Sequence, residues 1–256
     1  MTGIFDTFLY DPLFNFLVFL YNTAAFGDFG LAIILLTVII RVVLSPLSIK
    51  ALRSQRMLSD LQPKIKEIQK KFKDDTQKQT REVMALYKDN NTNPFSGCFL
   101  LLIQLPVLFA LYRISIAGFS EGSLDSLYSF VDKPELLNSL FLGFFELTKR
   151  SIHLALIAGA IQFFQMKLSL AGTKKTSGDL SGKTQSAAFA GLSGQMLYFF
   201  PLMIIIVSLS FPAGLPLYLI ATTAFSILEQ LYVNKTSMNY GQNHGQRNKG
   251  FNLGNG

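Results

Sequence analysis

The chain has one cysteine, Cys98, and no tryptophan. A single thiol excludes an internal disulfide framework, and no cysteine near the start is placed for amino-terminal lipidation; Cys98 opens an apolar run and reads as a small packing residue. Charge is scarce as well: 15% of residues are charged against 50% hydrophobic, where a soluble domain carries about a quarter charged. The first residues lack a basic n-region, and no small-residue cleavage pattern follows an apolar core, so no cleavable signal peptide is expected and the mature chain is expected to begin at Met1. There is no glycine-rich phosphate loop and no Ser/His/Asp or Cys/His pairing. His153 has no second His, Cys or carboxylate at ligand spacing and reads as a hydrogen-bonded interface residue. The expectation is a protein that is not an enzyme, with no catalytic residue, no metal site and no cofactor.

What is present is a set of long apolar runs separated by polar, Lys-rich blocks, the pattern of an all-α polytopic membrane protein. The run LAIILLTVIIRVVLSPLSI, Leu31–Ile49, is long enough to cross a bilayer yet carries Arg41 near its middle. At the α-helical rise, Arg41 lies roughly 15 Å from the outer end. A charge at that depth costs about 3 kcal/mol or more, so Arg41 is expected to face a wet cavity rather than lipid.

In chain order, residues 1–27 mix aromatic and aliphatic side chains with Asp6, Asp11 and Asn15, and predict an outer interfacial amphipathic helix. Residues 28–49 are the first span. Across residues 50–93, Leu58, Leu61, Ile65, Ile68 and Phe72 form one apolar stripe, and Val83, Leu86 and Tyr87 form a second, which together predict a projecting helical hairpin. Asn93-Pro94 reads as a helix start, with the second span over 94–117 kinked at Pro106. An outer loop at 118–150 contains a short interfacial segment, Leu136–Leu147. The third span covers 151–170, and a flexible Gly/Ser/Thr/Lys-rich loop covers 171–194. Phe211-Pro212-Ala213-Gly214 divides the last apolar block into spans at 195–211 and 214–233, and the Asn- and Gly-rich tail 234–256 has too little apolar surface to fold alone.

Charge sets the orientation. Residues 1–30 carry three acids and no Lys or Arg, whereas residues 50–93 carry eleven bases and six acids. Basic segments favour the cytoplasm, which predicts an outside amino terminus, a cytoplasmic carboxyl terminus and a cytoplasmic hairpin. The net +7 is thus a membrane-topology signal, with no nucleic-acid specificity expected. No acidic partner for Arg41 is read within the spans, and Arg113 lies close enough to the outer boundary to snorkel there.

Four stretches, GLAIILLTVIIRVVLSPLSIKALRSQRML at 30–58, LQPKIKEIQKKFKDD at 61–75, NPFSGCFLLLIQLPVLFALYR at 93–113 and FFPLMIIIVSLSFPAGLPLYLI at 199–220, together resemble the YidC/Oxa/Alb family of membrane protein insertases in its short bacterial form with five core spans. The resemblance implies a hydrophilic groove open to the cytoplasm and lipid but closed to the outside. It would receive polar segments of nascent membrane proteins and release the hydrophobic part into the lipid bilayer of the bacterial inner membrane. Arg41 matches the family's groove arginine; Thr37, Ser45, Gln104, Gln162, Gln165 and Tyr218 are the further groove candidates. Arg53, Arg56, Lys64, Lys66, Lys70 and Lys71 are candidate hairpin contacts. The Sec translocon and the ribosome are possible partners, with function as a monomer. Many relatives carry Trp where this chain has Leu219, leaving Tyr218 and Tyr198 as the aromatics of that region. The competing reading is a small-anion or solute transporter with Arg41 as the substrate-binding residue.

Overall fold

Asp28 starts a 32-residue helix that runs through the apolar core. The structure, a computed structural model, describes residues 3–90, 92, 96–117, 124–134, 138–171 and 185–251. Asp28 Oδ1 accepts from Leu31 N–H at 2.8 Å and so caps helix α2, Phe29–Asp60. Its other carboxylate oxygen accepts from Leu142 N–H at 2.6 Å, tying the same helix end to a β-hairpin of β1 (Leu140–Phe141) and β2 (Phe145–Glu146). That hairpin occupies much of the segment expected to lie as an interfacial element.

Before α2 come a short π-helical stretch, Asp6–Tyr10, and α1, Asp11–Thr23. The chain reverses between α1 and α2 through Phe26 and Gly27, at φ 52° and 75°; glycine adopts this left-handed conformation without a Cβ clash. One face of α1 buries Phe14, Leu17, Val18 and Tyr21 in the main apolar cluster with Phe29, Ile33 and Leu36 of α2, while Phe16 and Phe19 on the other face are exposed.

α2 runs on past Ile49 to Asp60, about 48 Å in all, well beyond a hydrocarbon core of about 30 Å. Its continuation feeds a helical hairpin, α3 (Gln62–Lys71) and α4 (Thr76–Asp89), with Asp75 Oδ1 accepting from Lys78 N–H to cap α4. Of the predicted stripe, Leu61 and Ile65 are buried, while Leu58, Ile68 and Phe72 are half-buried. Phe72 is flanked by the Lys71 and Lys78 ammonium groups, at 5.4 and 5.1 Å from its ring centre.

The remaining helices are α5 (Ser96–Ala117), α6 (Ile152–Ala171), α7 (Gln185–Ser210) and α8 (Gly214–Phe251). Among the described residues, Phe29–Asp60, Ile152–Ser169 and Gly214–Thr236 are long and apolar enough to cross a membrane, with shorter apolar helices at Leu102–Ile116 and Leu197–Ser210. The Asn93-Pro94 start and the Cys98 side chain lie outside the described residues. α8 continues to Phe251, through residues whose composition predicts an unfolded tail; no proline follows Pro216, and extending a formed helix costs far less than starting one. α2 packs against α8, α8 against α6, and α6 against α7. Gly159 permits the last contact, since a Cβ there would lie 2.3 Å from Ile205 Cγ1.

Buried chemistry changes along the bundle. Toward the Asp28 end the interior is mainly apolar, with Phe14, Phe29, Ile33, Leu36, Leu111, Ile114, Leu147 and Leu217 around the buried Asn15 and Ser115. Beyond Leu36 the buried side chains of α2 are Thr37, Arg41, Ser48 and Ser54 apart from Ala51, and those of α8 beyond Tyr218 are Thr222, Thr223, Glu229 and Gln230 apart from Ile227 and Val233.

Candidate functional site: a buried polar network around Arg41

Arg41 is 8% exposed and lies two-fifths of the way along α2, where the interior turns polar. Its Nε donates to Thr222 Oγ1 on α8 at 2.7 Å. A terminal guanidinium nitrogen stands 4.0 Å from Glu229 Oε2, also on α8. The other oxygen of that carboxylate accepts from the Ser48 hydroxyl of α2, a group that also lies 3.1 Å from Ser45 O. Arg41 and Glu229 are the only charged side chains buried among the described residues. The expectation that no span supplies an acidic partner for Arg41 is therefore wrong. Glu229, 6% exposed, is that partner, and it stands within the helix rather than with the tail.

The sequence carried a signal for this. Thr222-Thr223 and Glu229-Gln230 are two doublets seven residues apart, which on an α-helix is about two turns and the same face. The first member of each doublet faces α2 and the second faces α6. Thr223 Oγ1 donates to Gln162 Oε1 at 3.4 Å, and Gln230 Nε2 donates to Ser169 Oγ at 2.9 Å. Arg41 and Ser48 repeat the same seven-residue step on α2, so α2, α6 and α8 run parallel in matched register. Glu229 precedes a carboxyl-terminal region carrying Lys235, Arg247 and Lys249, so a net charge taken over that region is positive and conceals it.

The other candidates divide. Gln162 belongs to the network and its Nε2 donates to Gln165 Oε1 at 3.0 Å. Tyr218, one turn before Thr222, is enclosed beside Arg41 and Thr222 without meeting hydrogen-bond geometry to either. Thr37 is buried but donates to Ile33 O at 2.6 Å, within its own helix. Ser45 and Gln104 are half-buried, and Gln104 stands outside the hydrogen bonds described above. In the hairpin region Arg53, Lys64, Lys70 and Lys71 are exposed and Lys66 is half-buried. Arg56 is committed to α8, donating to Asn234 Oδ1 at 2.8 Å. Arg113 pairs with Asp6 and sits 4.5 Å from the Tyr10 ring centre, which fastens the amino-terminal segment to α5.

A bundle of long apolar helices whose inner faces bury hydroxyls, amides and one ion pair is an all-α membrane protein. The model of the family described as 60Kd inner membrane protein matches residues 20–240, and the chain belongs to that family. A Wolinella succinogenes protein named Membrane protein insertase YidC is 34% identical over 232 residues, 91% of this chain and 38% of that protein. A Fusobacterium nucleatum protein of the same name is 30% identical over 231 residues, 90% of this chain and 98% of that one. For a Clostridium perfringens protein, again so named, the identity is 33% over 212 residues, covering 80% and 82%. The chain thus spans well under half of the first relative and nearly all of the second. The resemblance carried by the four motif stretches holds.

Proposed function

We propose that the chain is a membrane protein insertase in which α2, α5, α6, α7 and α8 are five spans around a hydrophilic groove. The groove takes up a polar segment of a nascent membrane protein and lowers its desolvation barrier, after which the hydrophobic part moves into lipid. The observation that carries this reading is the change from apolar to polar burial between Leu36 and Thr37, with Arg41 on the polar side. A polar interior bounded at one end by Phe14, Phe29, Ile33 and Leu36 suits uptake from one face only. The net +5 of residues 50–93 supports a cytoplasmic Asp60 end and an outside amino terminus, in the inner membrane. Exposed Lys64, Lys70 and Lys71 on the hairpin then form the first contact with an incoming chain, the ribosome or the Sec translocon.

Cysteine scanning over residues 37–45, with membrane-impermeant thiol reagents added from each side, tests the arrangement. Labelling from the cytoplasmic side alone is expected. Labelling from both sides would overturn the one-sided groove in favour of a solute transporter, and no labelling would mean a dry, structural interior. In vesicles containing the purified chain, a small substrate with an acidic translocated tail is expected to insert, and absence of insertion defeats the reading.

A further inference from the structure

Two unlike charges buried together leave a membrane interior net neutral, yet the Arg41–Glu229 contact is loose. Its 4.0 Å separation exceeds hydrogen-bond length. Each charge has instead a neutral anchor on the opposite helix: Thr222 of α8 accepts from Arg41 of α2, and Ser48 of α2 donates to Glu229 of α8. Neither anchor depends on the ion pair, so an incoming carboxylate can take the place of Glu229 at the guanidinium while Glu229 keeps its bond to Ser48. Glu229 also lies two turns beyond Thr222 toward the Asp60 end, on the route by which a segment entering from that end reaches Arg41.

We propose that Glu229 is the exchangeable resting counterion of Arg41 and sets how strongly the groove prefers acidic over neutral substrate segments. The proposal rests on the insertase reading. With Glu229 in place the empty groove is neutral, and an acidic segment gains only the difference between two carboxylates at one guanidinium. With Glu229 uncharged, Arg41 has no internal competitor and acidic segments gain the full attraction. Removing Arg41 alone reverses the sign and leaves a buried carboxylate that repels acidic segments. Part of any Arg41→Ala defect is therefore the orphaned Glu229 rather than the missing arginine.

The test uses the full chain in vesicles and two substrates that differ only in whether the translocated tail carries Asp or Asn, reading the ratio of acidic to neutral insertion. Glu229→Gln, which preserves shape and the acceptor for Ser48, is expected to raise the ratio at least ~5-fold, the low end of ordinary site-to-site coupling. Glu229→Asp keeps the charge and is expected to leave the ratio near that of the unaltered chain. Arg41→Ala lowers the ratio below one, and the double variant R41A/E229Q returns it to about one, inserting acidic tails better than Arg41→Ala does. The ratio is independent of how much protein folds, so a purely structural Glu229 predicts no change in it. An unchanged ratio in Glu229→Gln, or a double variant no better than Arg41→Ala on acidic tails, overturns the proposal. Insertion of neither tail by the unaltered chain overturns the insertase reading itself.

Discussion

The Asn15 side chain on α1 accepts a hydrogen bond from the backbone N–H of Tyr128, at 2.6 Å, across 113 residues of sequence. Its amide nitrogen donates to Ser126 O at 3.1 Å and to Asp11 O at 2.8 Å, so one buried side chain clamps the loop after α5 over the amino-terminal helix.

Asn15→Leu fills similar volume but strands those loop groups. The expected loss is about 2 kcal/mol, the usual cost of leaving a buried backbone group unpaired. It is read as a lower melting temperature in detergent together with faster proteolysis within residues 124–134, which Asn22→Ala, on the exposed rim, should affect much less.

Gly30 lies against the β-hairpin. A Cβ there would stand 2.3 Å from Phe141 Cδ2 and 2.5 Å from Phe141 Cβ, too near the hairpin backbone for a rotamer change to relieve. Gly30→Ala is expected to cost about 1–3 kcal/mol as overpacking. Phe141→Ala in the same chain should recover part of that loss, giving a favourable coupling in a double-mutant cycle of melting temperatures.

Thr222 supplies the acceptor for Arg41 Nε. Thr222→Val keeps the shape and removes the acceptor, which for a charged donor costs about 1.5–3 kcal/mol, whereas Thr222→Ser keeps it. Melting temperature and insertion of an acidic-tailed substrate should both fall for the valine variant and stay close to the unaltered chain for the serine variant.

At the hairpin's exposed edge, the Lys149 ammonium donates to Glu146 Oε2 at 2.7 Å, and that hydrogen bond holds the Glu146 carboxyl below its ordinary value of 4.5. A depressed folded value means that the pair's contribution is present above the ordinary range and fades as pH falls through the lower folded value. Both groups are open to solvent, so the acid-side decline in melting temperature is small, and Glu146→Gln removes it while leaving stability at neutral pH almost unaltered.

Legibility in the sequence followed how local each constraint was. The reading of Leu31–Ile49 as a span, the position of Arg41 within it and the Leu61/Ile65 stripe depend only on run length and helical period. The resemblance of the four motif stretches added the family. The β-hairpin at 140–146 did not show, because two-residue strands carry no period and are defined by a cap, Asp28, more than 100 residues away. The packing of one face of α1 against α2 was equally hidden: its mix of aromatic, aliphatic and polar residues suits a lipid surface and a protein surface alike.

By itself, the sequence determined that this is a helical membrane protein with a basic hairpin and a charge at bilayer depth, because hydrocarbon imposes its demands segment by segment. Only the tertiary structure decided what that charge faces. Arg41 meets Thr222 and Glu229 because α2 and α8 run parallel with polar faces matched at a seven-residue step, and helix rotation and register come from packing between segments remote in the chain.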